Sequence, residues 1–187
     1  TNKTARDLQQ KTFADVEDSF LNTDYPTFSY ARANYLNTGV NGSTTKVSVI
    51  RFLDLIGPGA NQIPDDAEIV SAKLKLTTTT ASYIDVSVYK ITEYWCESGY
   101  TYDSNGIAGD QSPSWNERQK GVSWTTTGCG VGSRESTVLD TKSIVSGYTQ
   151  YNWDVTSAVQ AWANDRNLNY GLCVDASSET SIQAFYS

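Results

Sequence analysis

The chain of 187 residues contains no histidine. That absence removes the imidazole on which Ser-His-Asp and Cys-His nucleophilic machinery depends, and with it the usual His-bearing zinc sites. Cysteine is scarce: Cys96, Cys129 and Cys173 are too few for a disulfide scaffold, cannot all pair within one chain and lack the spacing of zinc ligands. No apolar run approaches the roughly 20 residues that a bilayer-spanning helix needs, so no membrane span is expected. Neither a glycine-rich phosphate loop with its lysine nor a G-x-G-x-x-G after a strand occurs. Cations are in deficit, with 14 Lys and Arg against 21 Asp and Glu and a net charge of −7. Nucleic acid is therefore not expected as a partner, since displacing its counterions takes clustered Lys and Arg.

What is present points to strands. Hydrophobic residues make up 39 % and charged residues 19 %, and 12 Tyr and 5 Trp stand beside abundant Thr, Ser and Asn. This is the profile of a β-rich protein facing the outside world. The length suits one domain that buries about 70 % of the surface its unfolded chain exposes. Thr1-Asn2-Lys3-Thr4 does not read as a signal peptide, so any such peptide has been removed, or else an initiator Met has been lost before a small residue. The sequons Asn2-Lys3-Thr4 and Asn41-Gly42-Ser43 make Asn2 and Asn41 candidates for N-glycosylation.

Period-two alternation starts in Lys46–Leu55, which Gly57, Pro58 and Gly59 end, and it is clean in Ile69–Leu76 and Ile84–Tyr89. Joined through Thr77–Ser82, the last two predict a hairpin. Strand patterns resume at Ser136–Leu139, Gln150–Trp153, Tyr170–Val174 and Ile182–Tyr186, with no internal repeat or linker between them. The long stretch 98–134, rich in Gly, Ser, Asp and Asn, is expected to be functional or to carry small strands of its own. One short helix is expected within YNWDVTSAVQAW, residues 151–162. Ser157 with Gln160 forms a capping-box pattern, Asp154 and Thr156 are alternative caps, and the helix is expected to stop near Asn164-Asp165. The predicted fold is all-β, an antiparallel, jelly-roll-like β-sandwich closed by one short capping helix.

With imidazole absent, catalysis falls to carboxylates, and Glu93, Glu97, Asp103, Asp110 and Glu117 cluster in sequence. They read as solvated loop carboxylates or oxygen ligands for Ca²⁺ rather than as an acid and nucleophile pair. Asp103, Asn105 and Asp110 are the Ca²⁺ candidates, and no cofactor is required. Sugar recognition uses aromatic faces against pyranose C–H patches, and the same stretch supplies Tyr100, Tyr102, Trp115, Asn116 and Trp124 for it. Trp115 and Trp124 suit a structural role equally, whereas Trp95, Trp153 and Trp162 read as core. Cys173 lies in an apolar run and reads as a buried thiol; Cys96 and Cys129 sit near loop segments and are candidates for a disulfide in an oxidising compartment, though sequence alone fixes no connectivity.

A further pattern lies in the order of short pieces. Glu17-Asp18-Ser19-Phe20 is followed by Ile50-Arg51-Phe52, Ile63-Pro64, Ile69-Val70-Ser71-Ala72-Lys73-Leu74 and Trp95-Cys96-Glu97. Ser114-Trp115-Asn116, Trp124-Thr125, Trp153-Asp154-Val155-Thr156, Ala161-Trp162 and Asn169-Tyr170-Gly171-Leu172 come after these. Residues 17–187 in this order and spacing resemble the DNRLRE-type domain, a β-sandwich family that includes carbohydrate-binding modules and disaggregatase-related surface repeats. The resemblance makes residues 1–16 an N-terminal extension. It also makes the segment at Asp154, Thr156 and Ser157 a structural corner that caps the helix. Two departures stand out. Phe52-Leu53-Asp54-Leu55 replaces the family's Phe-Asp-Leu, which predicts a bulge or a local shift. Family chains also run past the equivalent of Phe185-Tyr186-Ser187 into one more strand, so the expectation is either a truncated polypeptide or a strand supplied by a neighbour, with residues 1–16 as one source.

The function expected first is that of a non-catalytic structural protein of an extracellular, cell-surface or virion surface, a filament, fibre or decoration subunit associating with itself or with other surface proteins. An extracellular polysaccharide-binding module is the alternative, and a carboxylate-based glycosidase or lyase a remote third.

Overall fold

In the computed structural model, which describes residues 9–97 and 112–187, the alternating segments fold as antiparallel strands. These are β1 (Val16–Asn22), β2 (Tyr35–Asn41), β3 (Thr44–Phe52), β4 (Lys73–Thr77), β5 (Ile84–Ile91), β6 (Glu117–Gln119), β7 (Val122–Ser123), β8 (Arg134–Ile144) and β9 (Gln150–Asp154). The helix α1 (Thr156–Asn164) comes next, then β10 (Leu172–Asp175) and β11 (Ile182–Tyr186). The fold is an all-β sandwich, with the helix a minor part.

One layer runs β1-β3-β10-β5-β8. The other is joined to it through β2, whose residues from Gly39 onward pair with β3 while Tyr35 to Gly39 pair with β11. Gly39 is the switch point. Its φ is 120°, and a Cβ there would lie 2.0 Å from the Ser181 carbonyl oxygen, so only glycine lets β11 approach. A bridge between Thr78 and Phe185 links β11 to the end of β4, and β4 pairs with β9.

The core lies between the layers. Ile50, Val86, Val88, Leu172 and Val174 of the first meet Leu36, Leu74, Leu76, Trp153 and Phe185 of the second. Trp153 donates its indole N–H to the Val86 carbonyl at 2.8 Å and meets the Phe185 ring edge-on at 5.8 Å. The polar atom of this large buried ring is thereby satisfied. Val159 and Trp162 of α1, with Leu55 and Ile56, plug the end of the sandwich where β3 finishes and β10 starts.

Several local expectations change. β4 and β5 do not form a hairpin: the chain crosses from one layer to the other between them, and β5 lies between β10 and β8. Leu74 and Leu76 face Ile84, Val86 and Val88 across the core, and a period of two is the same whether strands are neighbours or opposites. Residues 69–72 stay outside β4, because the Ala72 amide donates to the Thr156 hydroxyl at 3.0 Å and the Ile69 amide to Gln160 Oε1 at 2.8 Å. That bond takes Gln160 out of the capping box, and Ser157 lies inside the first turn instead of ahead of it. The corner is held by Asp154, whose Oδ1 accepts the Thr156 amide at 3.0 Å and its hydroxyl at 2.7 Å while Oδ2 pairs with Lys73 at 2.5 Å. The helix does end at Asn164.

No bulge interrupts β3, whose register with β1 runs unbroken to Phe52. Just beyond β3, Asp54 adopts φ 48°. The residues before β1 lie along the same part of the chain. Leu53 donates to the Asp15 carbonyl at 3.1 Å, Lys11 reaches the Ala60 carbonyl at 2.9 Å, and Phe13 packs against the core. No helix among the described residues is long and apolar enough to cross a membrane.

Candidate functional site

The outer face of the first layer carries a second apolar cluster, in which Leu21, Val47, Val49 and Cys173 are covered by Trp95, Trp124 and Cys129. The cover is built by Trp95 and by residues 112–133, which include β6 and β7. Trp124, expected as a ligand-binding ring, is only 4 % exposed and donates its indole N–H to the Ser114 carbonyl at 2.9 Å. Trp115 is half-buried against the same cluster, and its ring lies so close to Gly128 that a Cβ there would fall 2.5 Å from it. Asn116 donates its amide to Pro26 and accepts that of Trp124. These three residues hold the flap on the sheet and do not form an exposed platform. Tyr100 and Tyr102, the Ca²⁺ candidates Asp103, Asn105 and Asp110, and the sequon residue Asn2 lie outside the described residues. Asn41 is exposed at the β2–β3 turn.

No disulfide joins Cys96 to Cys129. The flap carries Cys129 to β10, where the Cys173 thiol lies 3.9 Å from the Cys129 carbonyl oxygen. Complete burial pushes the Cys129 thiol well up, keeping it protonated. Linear order could not reveal this neighbour, because it depends on how the flap folds back. The clustered carboxylates separate in the same way. Glu93 accepts the Thr125 amide at 3.0 Å and pairs with Arg118, Glu117 belongs to β6, and Glu97 accepts the Asp18 amide at 2.8 Å on the edge of β1. Burial raises the Asp18 carboxyl against the opposing pull of the Ser187 hydroxyl, and it raises Glu97 as well. Glu93 and Glu97 thus have separate anchoring duties.

The groups that do converge were not singled out in the sequence, and they lie at the end of the sandwich opposite α1. Ile84 and Ile144 are the last pair of β5 and β8, so the next residues outward are Tyr83 and Val145. Two loops meet there, 78–83 and 145–149, and Thr78 ties them together. Its amide donates to Thr149 at 3.0 Å, and its hydroxyl donates to Ser146 at 2.9 Å while accepting the Thr149 amide. A Cβ on Gly147 would lie 3.0 Å from Thr80 Cα, so the loops are in contact. The Tyr151 hydroxyl accepts the Val145 and Ser146 amides, both at 2.9 Å. Ser82 and Gln183 fasten the other loop, through the Ile182 carbonyl at 2.8 Å and the Thr80 carbonyl at 3.0 Å.

On this frame stand Tyr83, 76 % exposed, and Tyr148, 77 % exposed, with Val145 at 57 %. Both tyrosines have left-handed backbones, φ 56° and 51°. Holding a non-glycine residue in that region costs of order 1–3 kcal/mol, and such strain gathers at functional sites. Here the pinned loops offset the strain and present two phenol rings to solvent.

No family model matches the chain, and no curated protein matches it. The chemistry of the loop end is that of contact: two flat apolar faces bordered by the exposed hydroxyls of Thr80 and Ser146.

Proposed function

We propose that the chain is a non-catalytic module of an extracellular or virion surface that binds polysaccharide through Tyr83 and Tyr148. The observation that carries this reading is the pair of nearly fully exposed, backbone-strained tyrosines on two loops tied to each other. A loop backbone held in advance leaves only the side-chain torsions of the two rings to be ordered on binding, which lowers the entropic cost at a shallow surface. The resemblance to the DNRLRE-type family, with its carbohydrate-binding members, supports the same reading.

Affinity electrophoresis through gels containing soluble β-glucan, xylan, pectin or chitosan tests it. The parent is retarded by at least one of these polymers. Tyr83→Ala and Tyr148→Ala each lose about tenfold in affinity, equivalent to about 1.4 kcal/mol, with their melting temperatures kept. A double variant retarded as strongly as the parent, or a parent that none of these polymers retards, overturns the assignment.

Assembly, the reading the sequence favoured, has one observation behind it. Tyr35 and Tyr186, directly opposed on β2 and β11, are 48 % and 46 % exposed with ring centroids 6.2 Å apart. They lie beside the β2 edge, where Tyr35 to Thr38 pair only with β11 among the described strands. Unpaired edges invite pairing with a second copy. Light scattering with negative-stain microscopy decides this: regular filaments or shells that Tyr186→Lys abolishes support assembly, and a monodisperse monomer removes it.

A further inference from the structure

We infer that Cys129 and Cys173 join as a disulfide when the chain folds in an oxidising compartment, a covalent staple between the flap and the sheet it covers. The structure holds both as free thiols, the reduced form. Nothing in the inference depends on what Tyr83 and Tyr148 bind.

Two separate parts of the fold bring the sulfurs together. Cys173 lies on β10 between β3 and β5, opposite Val49 and Tyr89, and faces outward into the cluster under the flap. Cys129 ends the short turn Thr127–Cys129, which is pinned on both sides. The Gly128 amide donates to the Trp115 carbonyl at 2.7 Å, and the Thr126 amide donates to the Ser133 hydroxyl at 2.8 Å. The Cys129 backbone is left-handed, φ 54°, a strained conformation for a residue with a Cβ. Both side chains are fully buried, the Cys173 Sγ lies 3.9 Å from the Cys129 carbonyl oxygen, and the two thiols share a hydrogen bond. Sulfurs in contact have to approach to about 2.05 Å to bond. That movement falls on the flap turn, since β10 is held by a strand on each side.

A cation is built in beside the pair. Arg134 binds Asp175 at 2.6 Å and lays its guanidinium 3.5 Å from the centre of the Tyr89 ring. Asp175 is two residues along β10 from Cys173 and so shares its face, and Tyr89 is directly opposite Cys173. The guanidinium therefore stands against the thiols. Its buried Nε and Nη1 have no acceptor among the described residues. The charge matters because the thiolate, not the thiol, is the nucleophile in disulfide exchange. Burial opposes that form of Cys129, and Arg134 favours it.

The oxidant is a small-molecule disulfide such as oxidised glutathione. One cysteine thiolate attacks it, forming a mixed disulfide and releasing one reduced glutathione. The other cysteine thiolate then displaces the second glutathione and closes the protein disulfide. The two cysteines lose two electrons and two protons, which end on the two glutathione thiols. The bond links positions 44 residues apart, and such a link stabilises mainly by restricting the unfolded chain. For a domain of this length the melting temperature is expected to rise by about 5–15 °C.

The full chain is unfolded and refolded, in one sample with reduced and oxidised glutathione and in the other with dithiothreitol. Non-reducing peptide mapping by mass spectrometry is expected to find Cys129 and Cys173 linked in the first sample alone, and scanning calorimetry to give that sample the higher melting temperature. Cys96→Ser keeps both the link and the shift, whereas Cys129→Ala and Cys173→Ala lose both. If an alanine variant does not fold, the Cys96→Ser chain decides, because link and shift are both read on it. The inference is overturned if Cys129 and Cys173 remain unlinked after refolding with oxidised glutathione, if Cys96 is the partner of either, or if the linked protein melts no higher than the reduced one.

Discussion

Replacing Trp124 by alanine separates packing from binding. The ring is 4 % exposed in the flap that covers the outer face of the first layer, and its N–H bond ends on the carbonyl of Ser114, itself buried. A buried aromatic side chain removes about 150–250 Å² from water, which at about 25 cal/mol per Å² amounts to roughly 4–6 kcal/mol as an upper bound. Measured Trp→Ala losses in cores run about 3–5 kcal/mol. The orphaned Ser114 carbonyl adds to the loss, and collapse of the flap into the space recovers part of it. A destabilisation of about 4 kcal/mol is therefore expected, and at about 2–4 °C per kcal/mol for a domain of this length it lowers the melting temperature by about 8–16 °C. Differential scanning calorimetry reads that shift, and affinity electrophoresis well below the variant's own melting point reads binding, which is expected to be unchanged. A variant that melts within about 2 °C of the parent but is no longer retarded would place Trp124 in the ligand site and refute the packing argument.

Other consequences follow from the same bonds. Asp154→Ala removes the acceptor of the Thr156 amide and is expected to destabilise by about 1 kcal/mol, while Asp154→Asn keeps that acceptor, loses the Lys73 pair and falls less; urea titration of both checks the order. The side-chain bond from Lys73, with those from Thr156, holds the Asp154 carboxyl well below its ordinary value of 3.8, so its share of stability is present above that pH and fades as the pH falls further. Asp18 and Glu97, both raised by burial from ordinary values of 3.8 and 4.5, act in the opposite sense. Protonating them favours the folded state, so stability is expected to rise as the pH falls from neutrality through their raised values, and then to drop below about pH 4 as Asp154 takes over. Glu97→Gln, which can still accept the Asp18 amide, is expected to flatten that rise in a pH series of thermal melts, and an unchanged profile would count against burial as its cause. Cys129 and Cys173 are fully buried and Cys96 is not; a chromogenic disulfide reagent should therefore modify Cys96 first and the other two only in denaturant, and prompt reaction of all three would show that the flap opens readily.

Much of the fold was legible because burial and alternation coincide. In Lys73–Thr77 and Ile84–Ile91 the residues expected inside are those that are buried, and α1 ends where its turn formers begin. Neighbour relations were not legible. β4 and β5 bury facing residues from opposite layers, and a chain that crosses between layers leaves no mark in a period-two pattern. The capping box failed for a related reason. Gln160 could bond its own helix start, but Ile69 and Ala67 lie against it with backbone groups that need partners, and a tertiary contact took precedence over a local motif.

The candidate site was hidden by where the fold places its aromatic rings. Sequence reasoning looked for sugar contacts at Tyr100, Tyr102, Trp115, Asn116 and Trp124 of the longest irregular stretch; of its two tryptophans Trp124 is buried and Trp115 half-buried, while Trp95, Trp153 and Trp162 are buried as expected. Burial favours the largest apolar surface, and in a chain with this few charges the indoles are the best material for two stacked cores, one between the layers and one under the flap. Tyrosine is divided differently, because its hydroxyl keeps one end of the ring at home in water. Tyr83 and Tyr148 stay exposed, while Tyr151 turns its hydroxyl inward to hold the loop that presents Tyr148. Neither exposed position carries a glycine or asparagine to signal its left-handed backbone, and only the β5–β8 register and the Thr78 bonds bring the two loops together. In a sandwich of this composition, rings free to meet a ligand are therefore to be sought among tyrosines at loop ends, where strain marks them, and not among the tryptophans that build the cores.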